Sequence, residues 1–281
     1  GGLSRKSFGD LVAGRATGLQ LSTGYEEEDA DLRLRRNLAG GMTLDFGFQR
    51  VFQDDVPRTH KTVAGLSWKG TSPGSDLYRL LDQRRQLSWG RLSWEDGGGW
   101  IDDAELTLSL HRHDQDRDRM KSDGSGNATG GDLTGFGVDD LGLSARFHSD
   151  GGWAWGMEAH DESVDSYKHK IDATGAVTST SIQGPVADDS RVRTQALYFQ
   201  RKMQTGGWAM VPGIRVSWTA LHAKRVEDPD TGLATTLDRS WNALTGGVRF
   251  LRPLGSDAAL FAGLSQGFRT PSLYDLTSLD E

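Results

Sequence analysis

Val138-Asp-Asp-Leu-Gly-Leu-Ser-Ala-Arg-Phe-His148 is followed by Ser149-Asp-Gly-Gly152 and then by Trp153-Ala-Trp-Gly-Met-Glu-Ala-His160. In the first arm Leu141, Leu143, Ala145 and Phe147 fall at every second position; in the second, Trp153, Trp155, Met157 and Ala159 do the same. A period of two is the signature of a strand with one apolar face, and glycines between two such runs supply a tight hairpin turn. The stretch therefore predicts a β-hairpin with one greasy side and one polar side.

The unit recurs along the chain. Asp31–Leu38 and Met42–Phe52 are joined by Ala39-Gly40-Gly41, and Arg84–Glu95 reaches Trp100–His111 through Gly97-Gly98-Gly99. Arg191–Met203 turns at Thr205-Gly206-Gly207 into a run with Trp208, Met210, Ile214, Val216 and Trp218. Trp241–Leu251 turns through Pro253 to Asp257 and returns with Leu260, Ala262 and Leu264. The reading is all-β, with about ten strands in five hairpins. Between hairpins, Asp54–Gln83, Arg112–Gly135, Asp161–Ser190 and Ala223–Arg239 are long and rich in Asp, Ser, Thr and Gly. Short turns alternating with long polar connections are the asymmetry of an antiparallel transmembrane β-barrel, with tight periplasmic turns and extended outer loops.

Composition supports this reading. Across 281 residues only 36% are hydrophobic, too thin a supply for a solid core under so many strands. A barrel that turns its apolar side chains toward lipid resolves the deficit. Mean hydropathy is -0.53 and no apolar run is long enough for a membrane-spanning helix, but alternating strands escape window averages. Trp94 and Trp100 flank one turn, and Trp153 and Trp208 follow two others. That placement fits an aromatic ring at a membrane interface, although tryptophan also flanks hairpin turns in soluble sandwiches. A soluble sandwich and a passive porin-like channel are the competing readings. With no cysteine there is no disulfide, thiolate-metal site or thiol nucleophile. The net charge of -7, spread along the chain, argues against a nucleic-acid partner.

Leu264-Ser-Gln-Gly-Phe-Arg-Thr-Pro-Ser-Leu-Tyr-Asp-Leu276 follows the last hairpin. It resembles the Phe-Arg-Ala-Pro-Ser-Leu stretch of TonB-dependent outer-membrane receptors, with Thr270 in place of the commoner alanine. Gly24-Tyr25-Glu26 running into Asp29-Ala30-Asp31, Gln53 to His60, and Gly74 to Arg85 resemble the same family's barrel. The resemblance implies a barrel of about 22 strands with a plugged lumen, in a Gram-negative outer membrane, importing a scarce ligand with energy from TonB. The expected ligand is a ferric siderophore or another metal chelate, with haem, cobalamin or an oligosaccharide open. It also implies that residues 1–281 are part of the barrel domain, with the plug before Gly1 and closing strands after Glu281. TonB would then act through a plug outside the chain. Within the family motif, Phe268, Arg269 and Pro271 are the positions carried over. Pro271 also has a physical reading: it lacks an N–H and ends a ladder where a strand leaves the sheet.

Candidate ligand-binding residues are the cations at the two ends of the longest connection: Arg58, His60 and Lys61, then Arg84 and Arg85, with Arg79 nearby. Cations converging at a barrel mouth would attract an anionic chelate, and His60 would alternatively offer a haem-iron ligand. The plain alternative is a solvated loop. Asp114-Gln-Asp-Arg-Asp118 and Asp228-Pro-Asp230 have alternate carboxylates but lack the remote glutamate of a calcium loop. Glu26–Asp29 reads as an acidic loop face. No serine elbow, phosphate loop or zinc-protease helix is present, so neither an enzyme nor a resident cofactor or metal is expected.

Overall fold

The computed structural model describes residues 1–14, 18–67, 72–95 and 100–279. Its strands are β1 (Gly2–Phe8), β2 (Leu11–Ala13), β3 (Gly18–Gln20), β4 (Tyr25–Asn37), β5 (Met42–Pro57), β6 (Asp76–Trp94), β7 (Asp103–Ser122) and β8 (Ala128–His148). There follow β9 (Trp153–Ile171), β10 (Val177–Thr180), β11 (Asp188–Arg201), β12 (Met203–Thr205), β13 (Trp208–Glu227), β14 (Ala234–Pro253) and β15 (Ala259–Ser265), then one short helix, α1 (Leu273–Thr277). Among the described residues, one 13-stranded sheet runs in the order β1-β4-β5-β6-β7-β8-β9-β11-β13-β14-β15. β10 and β12 add short pieces to β9 and β13, while β2 and β3 form a separate ribbon. Every neighbouring pair is antiparallel, as in a meander. No helix among the described residues is long and apolar enough to cross a membrane, which leaves crossing by strands untouched.

Register explains how alternation becomes a membrane-facing surface. Leu44 lies opposite Leu92, Leu92 opposite Leu106, Leu106 opposite Ala145, and Ala145 opposite Met157. The row continues through Leu197, Val216 and Leu244. It crosses eight strands without a polar side chain. Leu106, Leu197 and Leu244 remain 47%, 53% and 65% exposed, so the large side chains of this belt face outward from the sheet. One residue along each strand, the row reads Thr43, Ser93, Glu105, Arg146, Gly156, Tyr198, Arg215 and Thr245. A shift of one residue exchanges the faces, so the pattern fixes the register.

Toward the short turns, the next row on the apolar face carries Trp94, Phe147, Trp155 and Phe199. Trp155 stacks on Trp100 and Phe147 at 5.2 and 5.7 Å, and Trp153 sits 4.8 Å from Phe199. The expected tryptophan ring is thus an aromatic band on the apolar face, beside the turns, where amphipathic rings meet a membrane interface. Gly40, Gly41 and Gly152 have φ of 71°, 72° and 73°, the left-handed geometry that tight turns need. The Gly97–Gly99 turn lies outside the described residues.

The strands exceed the sequence-based boundaries. β7 continues past His111 to Ser122, and β8 starts at Ala128, not at Val138. The Arg112–Gly135 connection is therefore mostly ladder, closed by Asp123-Gly-Ser-Gly-Asn127 with Asp123 N–H donating to Asn127 O at 3.1 Å. A strand of 20 residues runs roughly 65 Å, about twice the hydrocarbon thickness. Beyond the lipid both faces are wet, so apolar alternation stops while hydrogen bonding continues. That is why these segments read as loops. The same cause corrects the reading of Glu26–Asp29 as a loop face. They belong to β4 and pair with β1, where Arg5 meets Glu26 and Lys6 meets Glu27 and Asp29.

Candidate ligand-binding face

The polar face is an ion-pair lattice built by register. Asp45, 3% exposed, accepts from Arg35 at 2.8 and 2.9 Å and from Arg33 at 3.3 Å. Trp89 lies over Gly47, where any Cβ would run into its ring, and Arg91 stacks on that ring at 5.3 Å. Arg215 reaches across β11, over the small Ala196, to donate to Glu158 at 2.7 Å. His160 meets Asp140 at 3.0 Å, and Arg85 donates to His111 Nε2 at 3.0 Å. Farther from the short turns, Asp132 is held by Arg117 and Arg119.

The turns at that far end are set by aspartates. The Asn127 amide and the Ser125 N–H hold the Asp123 carboxyl below its ordinary range. Backbone N–H groups of Thr231 and Asp230 do the same for Asp228, so both carboxylates are charged at neutral pH. Asp228 is thereby a turn cap. Asp114, Asp116 and Asp118 alternate along β7, at a spacing that keeps their carboxylates from converging. Among the described residues, the carboxylates close enough to share an ion are Asp54, Asp55 and Asp82.

After β15 the chain folds back over the polar face. Ser272 caps α1, its Oγ accepting from Asp275 N–H at 3.1 Å while Asp275 accepts from Ser272 N–H at 2.8 Å. Arg269 pairs with the same aspartate. Leu273 is buried among Val164, Ala187, Leu221, Ala223 and Val226, an apolar cluster on this face. The helix is tied down by Gln183, 1% exposed: its amide donates to Thr277 O at 2.6 Å and accepts from Glu227 N–H at 2.8 Å. Ala187 N–H adds a bond to Thr277 Oγ1 at 2.9 Å. Beneath this strap is a cavity of about 540 Å³, walled by Arg79, Arg117, Lys168, Lys170, Glu227 and Tyr274.

The structure distributes the sequence-derived candidates. His60 and Lys61 are exposed on a 3₁₀ turn, Thr59–Lys61, and Arg58 precedes it, its N–H bonding to Arg79 O at 2.8 Å. Arg84 and Arg85 sit on β6, five and six residues down the strand from Arg79, and on opposite faces. Arg84 covers the Phe52 ring at 5.2 Å on the apolar-belt side; Arg85 turns to His111 on the polar side. Of the motif residues, Arg269 anchors the strap through Asp275, Pro271 precedes the cap, and Phe268 is half exposed. Gln183, Lys168 and Lys170 escaped the sequence reading, since isolated polar residues in a polar stretch carry no period. The Ser272-x-x-Asp275 spacing is a cap signature that would have located the helix.

One protein-family model, described as TonB dependent receptor-like, beta-barrel, matches residues 16–280. None of the curated proteins matches the sequence. Among solved structures, the copper transporter OprC superimposes with a TM-score of 0.67 at 13% identity, over 97% of this chain and 41% of that one. The hemophore receptor HasR of Serratia marcescens, in complex with its hemophore HasA and heme, gives 0.61 at 14% identity over 97% and 41%. The siderophore receptor PiuA of Acinetobacter baumannii gives 0.60 at 11% over 87% and 42%. At these identities the likeness is one of fold. The chain spans about two fifths of the length of each of these structures.

Proposed function

The chain belongs to the TonB-dependent receptor β-barrel family, whose members sit in the outer membrane of Gram-negative bacteria, and from that premise we propose that it serves energised uptake of a scarce metal chelate, a ferric siderophore foremost. The observation that carries the reading is the two-faced wall. A lipid-facing belt of Leu44, Leu92, Leu106, Met157, Leu197 and Leu244 backs a polar face of ion pairs on which a strap closes a cation-lined cavity. Such a wall gives a hydrated lumen through lipid, and the cavity gives that lumen a place to hold a ligand. The named cargoes of the structural neighbours, copper, heme and siderophore, support a metal-bearing ligand. The polar face carries the capture step, and TonB, acting through a plug, supplies the release step. No catalytic role is needed from any residue of this face.

The test is uptake of a radiolabelled ferric siderophore by iron-starved cells carrying the full-length protein. Accumulation should fall to background when the receptor or TonB is deleted. Uptake that persists without TonB would replace this reading with a passive channel.

A further inference from the structure

We propose that the lipid-facing side of the wall carries two seats for anionic phospholipid headgroups, at the end beside the short periplasmic turns. The first is Arg201 stacked on Trp153 at 4.3 Å, and the second is Arg252 stacked on Trp208 at 5.5 Å. Register puts both on the belt side. Arg201 follows Leu197 and Phe199 at steps of two along β11 and lies opposite Trp153 of β9. Arg252 follows Val248 and Phe250 in the same way along β14, and the Phe250 ring meets Trp208 edge-on. Each arginine therefore stands where the apolar face gives way to a turn.

The fold leaves these two cations without a carboxylate. Among the described residues neither has an ion-pair partner, and Arg201 Nε is buried with no hydrogen-bond partner. Asp150 and Asp257, in the adjoining turns, pair with neither of them. Elsewhere the pattern is the reverse. Arg191 is matched by Asp161 and Lys224 by Asp189 at the long-loop end, and Arg35 by Asp45 across the sheet. At a membrane interface the missing anion is at hand in the lipid. An arginine stem lies along apolar surface while its planar fork reaches headgroup level, where it fits a phosphate. The indole attracts the cation and fixes its plane, so a headgroup meets a donor that needs little further ordering. Phe199 and Ile214, paired across β11 and β13 and exposed, offer a bed for acyl chains beside the first seat. Exposed Lys202 adds charge next to Arg201. β13 separates β11 from β14, which sets the seats about 10 Å apart, so each takes its own lipid. A zwitterionic lipid brings an ammonium that offsets the gain, so a net negative headgroup is preferred.

The experiment counts lipids retained by the purified full-length protein on release from mixed bilayers of phosphatidylglycerol and phosphatidylcholine into a native mass spectrometer. The expected result is preferential retention of phosphatidylglycerol, by about fivefold for each seat. Arg201→Gln and Arg252→Gln should each remove one retained phosphatidylglycerol, and the double variant should lose two, with phosphatidylcholine unaffected. Excess inorganic phosphate, added at constant ionic strength, should leave the retained lipids in place. If it strips them, the seats read free phosphate, and the lipid assignment is overturned. Equal retention of the two lipids by the unmodified protein also overturns it. So does an unchanged count in a double variant that keeps the folded electrophoretic mobility. Should the double variant fail to fold, the single variants and the lipid preference of the unmodified protein decide the matter. None of these outcomes bears on chelate uptake, which is read by transport and not by lipid retention.

Discussion

Replacing Leu106 with arginine in the full-length protein is expected to destabilise the lipid-inserted fold by about 2–4 kcal/mol, while Ser144→Arg, on the other face of the wall, should change it by no more than about 1 kcal/mol. Leu106 lies between Leu92 and Ala145 in the middle of the belt and is 47% exposed on the apolar face. A guanidinium there must sit in hydrocarbon or drag water inward. Ser144 is opposite Glu158 on the polar face, so an arginine introduced there finds a carboxylate and water. Equilibrium unfolding by guanidinium in lipid vesicles reads both. Equal effects of the two substitutions would mean that the faces are misassigned.

Asp132→Ala is expected to cost about 3–5 kcal/mol by the same assay. Asp132 is 4% exposed, and the Arg117 and Arg119 side chains that hold it are only 12% and 17% exposed. Removing the carboxylate takes the shared anionic partner away from two guanidinium groups that are themselves largely shielded from water. Exposed pairs are different in kind: Arg5 and Glu26 are 68% and 54% exposed, and Glu26→Ala should alter stability by less than about 1 kcal/mol, with salt screening the remainder. A loss at Asp132 no larger than that at Glu26 would show that the lattice around Asp132 is hydrated, not buried.

The belt was legible from sequence because lipid demands an apolar residue at every second position and nothing else on that side of a strand. Leu106, Leu108 and Leu110, with polar residues between them, need no tertiary information to be read. Outside the lipid the demand lapses. Arg112 to Lys121 carries no apolar period, yet it pairs with Gly130–Asp139 residue by residue. Hydrogen bonding along a ladder leaves no mark on residue type, so strand length was hidden where strand existence was clear. β1 was hidden for a related reason, since its Arg5 and Lys6 make sense only beside Glu26–Asp29 of β4.

The candidate binding residues show the same division. Arg58, His60, Lys61, Arg84 and Arg85 share a sequence neighbourhood, but sequence alone does not say that neighbours on a strand point to opposite sides once the segment around Arg84 and Arg85 is strand, not loop. The cavity instead gathers Arg79, Arg117, Lys168, Lys170 and Tyr274 from segments far apart in the chain, aligned by register and by the returning strap. The motif Phe268–Leu273 was visible; its place at the start of that strap depends on Gln183, whose partner Thr277 lies 94 residues away.

Residues 1–281 contain no cysteine, so in full-length protein freed of any cysteine elsewhere, single cysteines can be placed in turn from Asp103 to His113 of β7 and spin-labelled after lipid insertion. The two-faced wall predicts an alternation. Labels at 104, 106, 108 and 110 should collide with oxygen dissolved in lipid, and labels at 105, 107, 109 and 111 with a water-soluble paramagnetic complex. Oxygen and complex accessibility should therefore oscillate out of phase with a period of two residues. Accessibility that varies smoothly along the strand, or that places water on the leucine side, would contradict a barrel wall with lipid on one face and a hydrated lumen on the other.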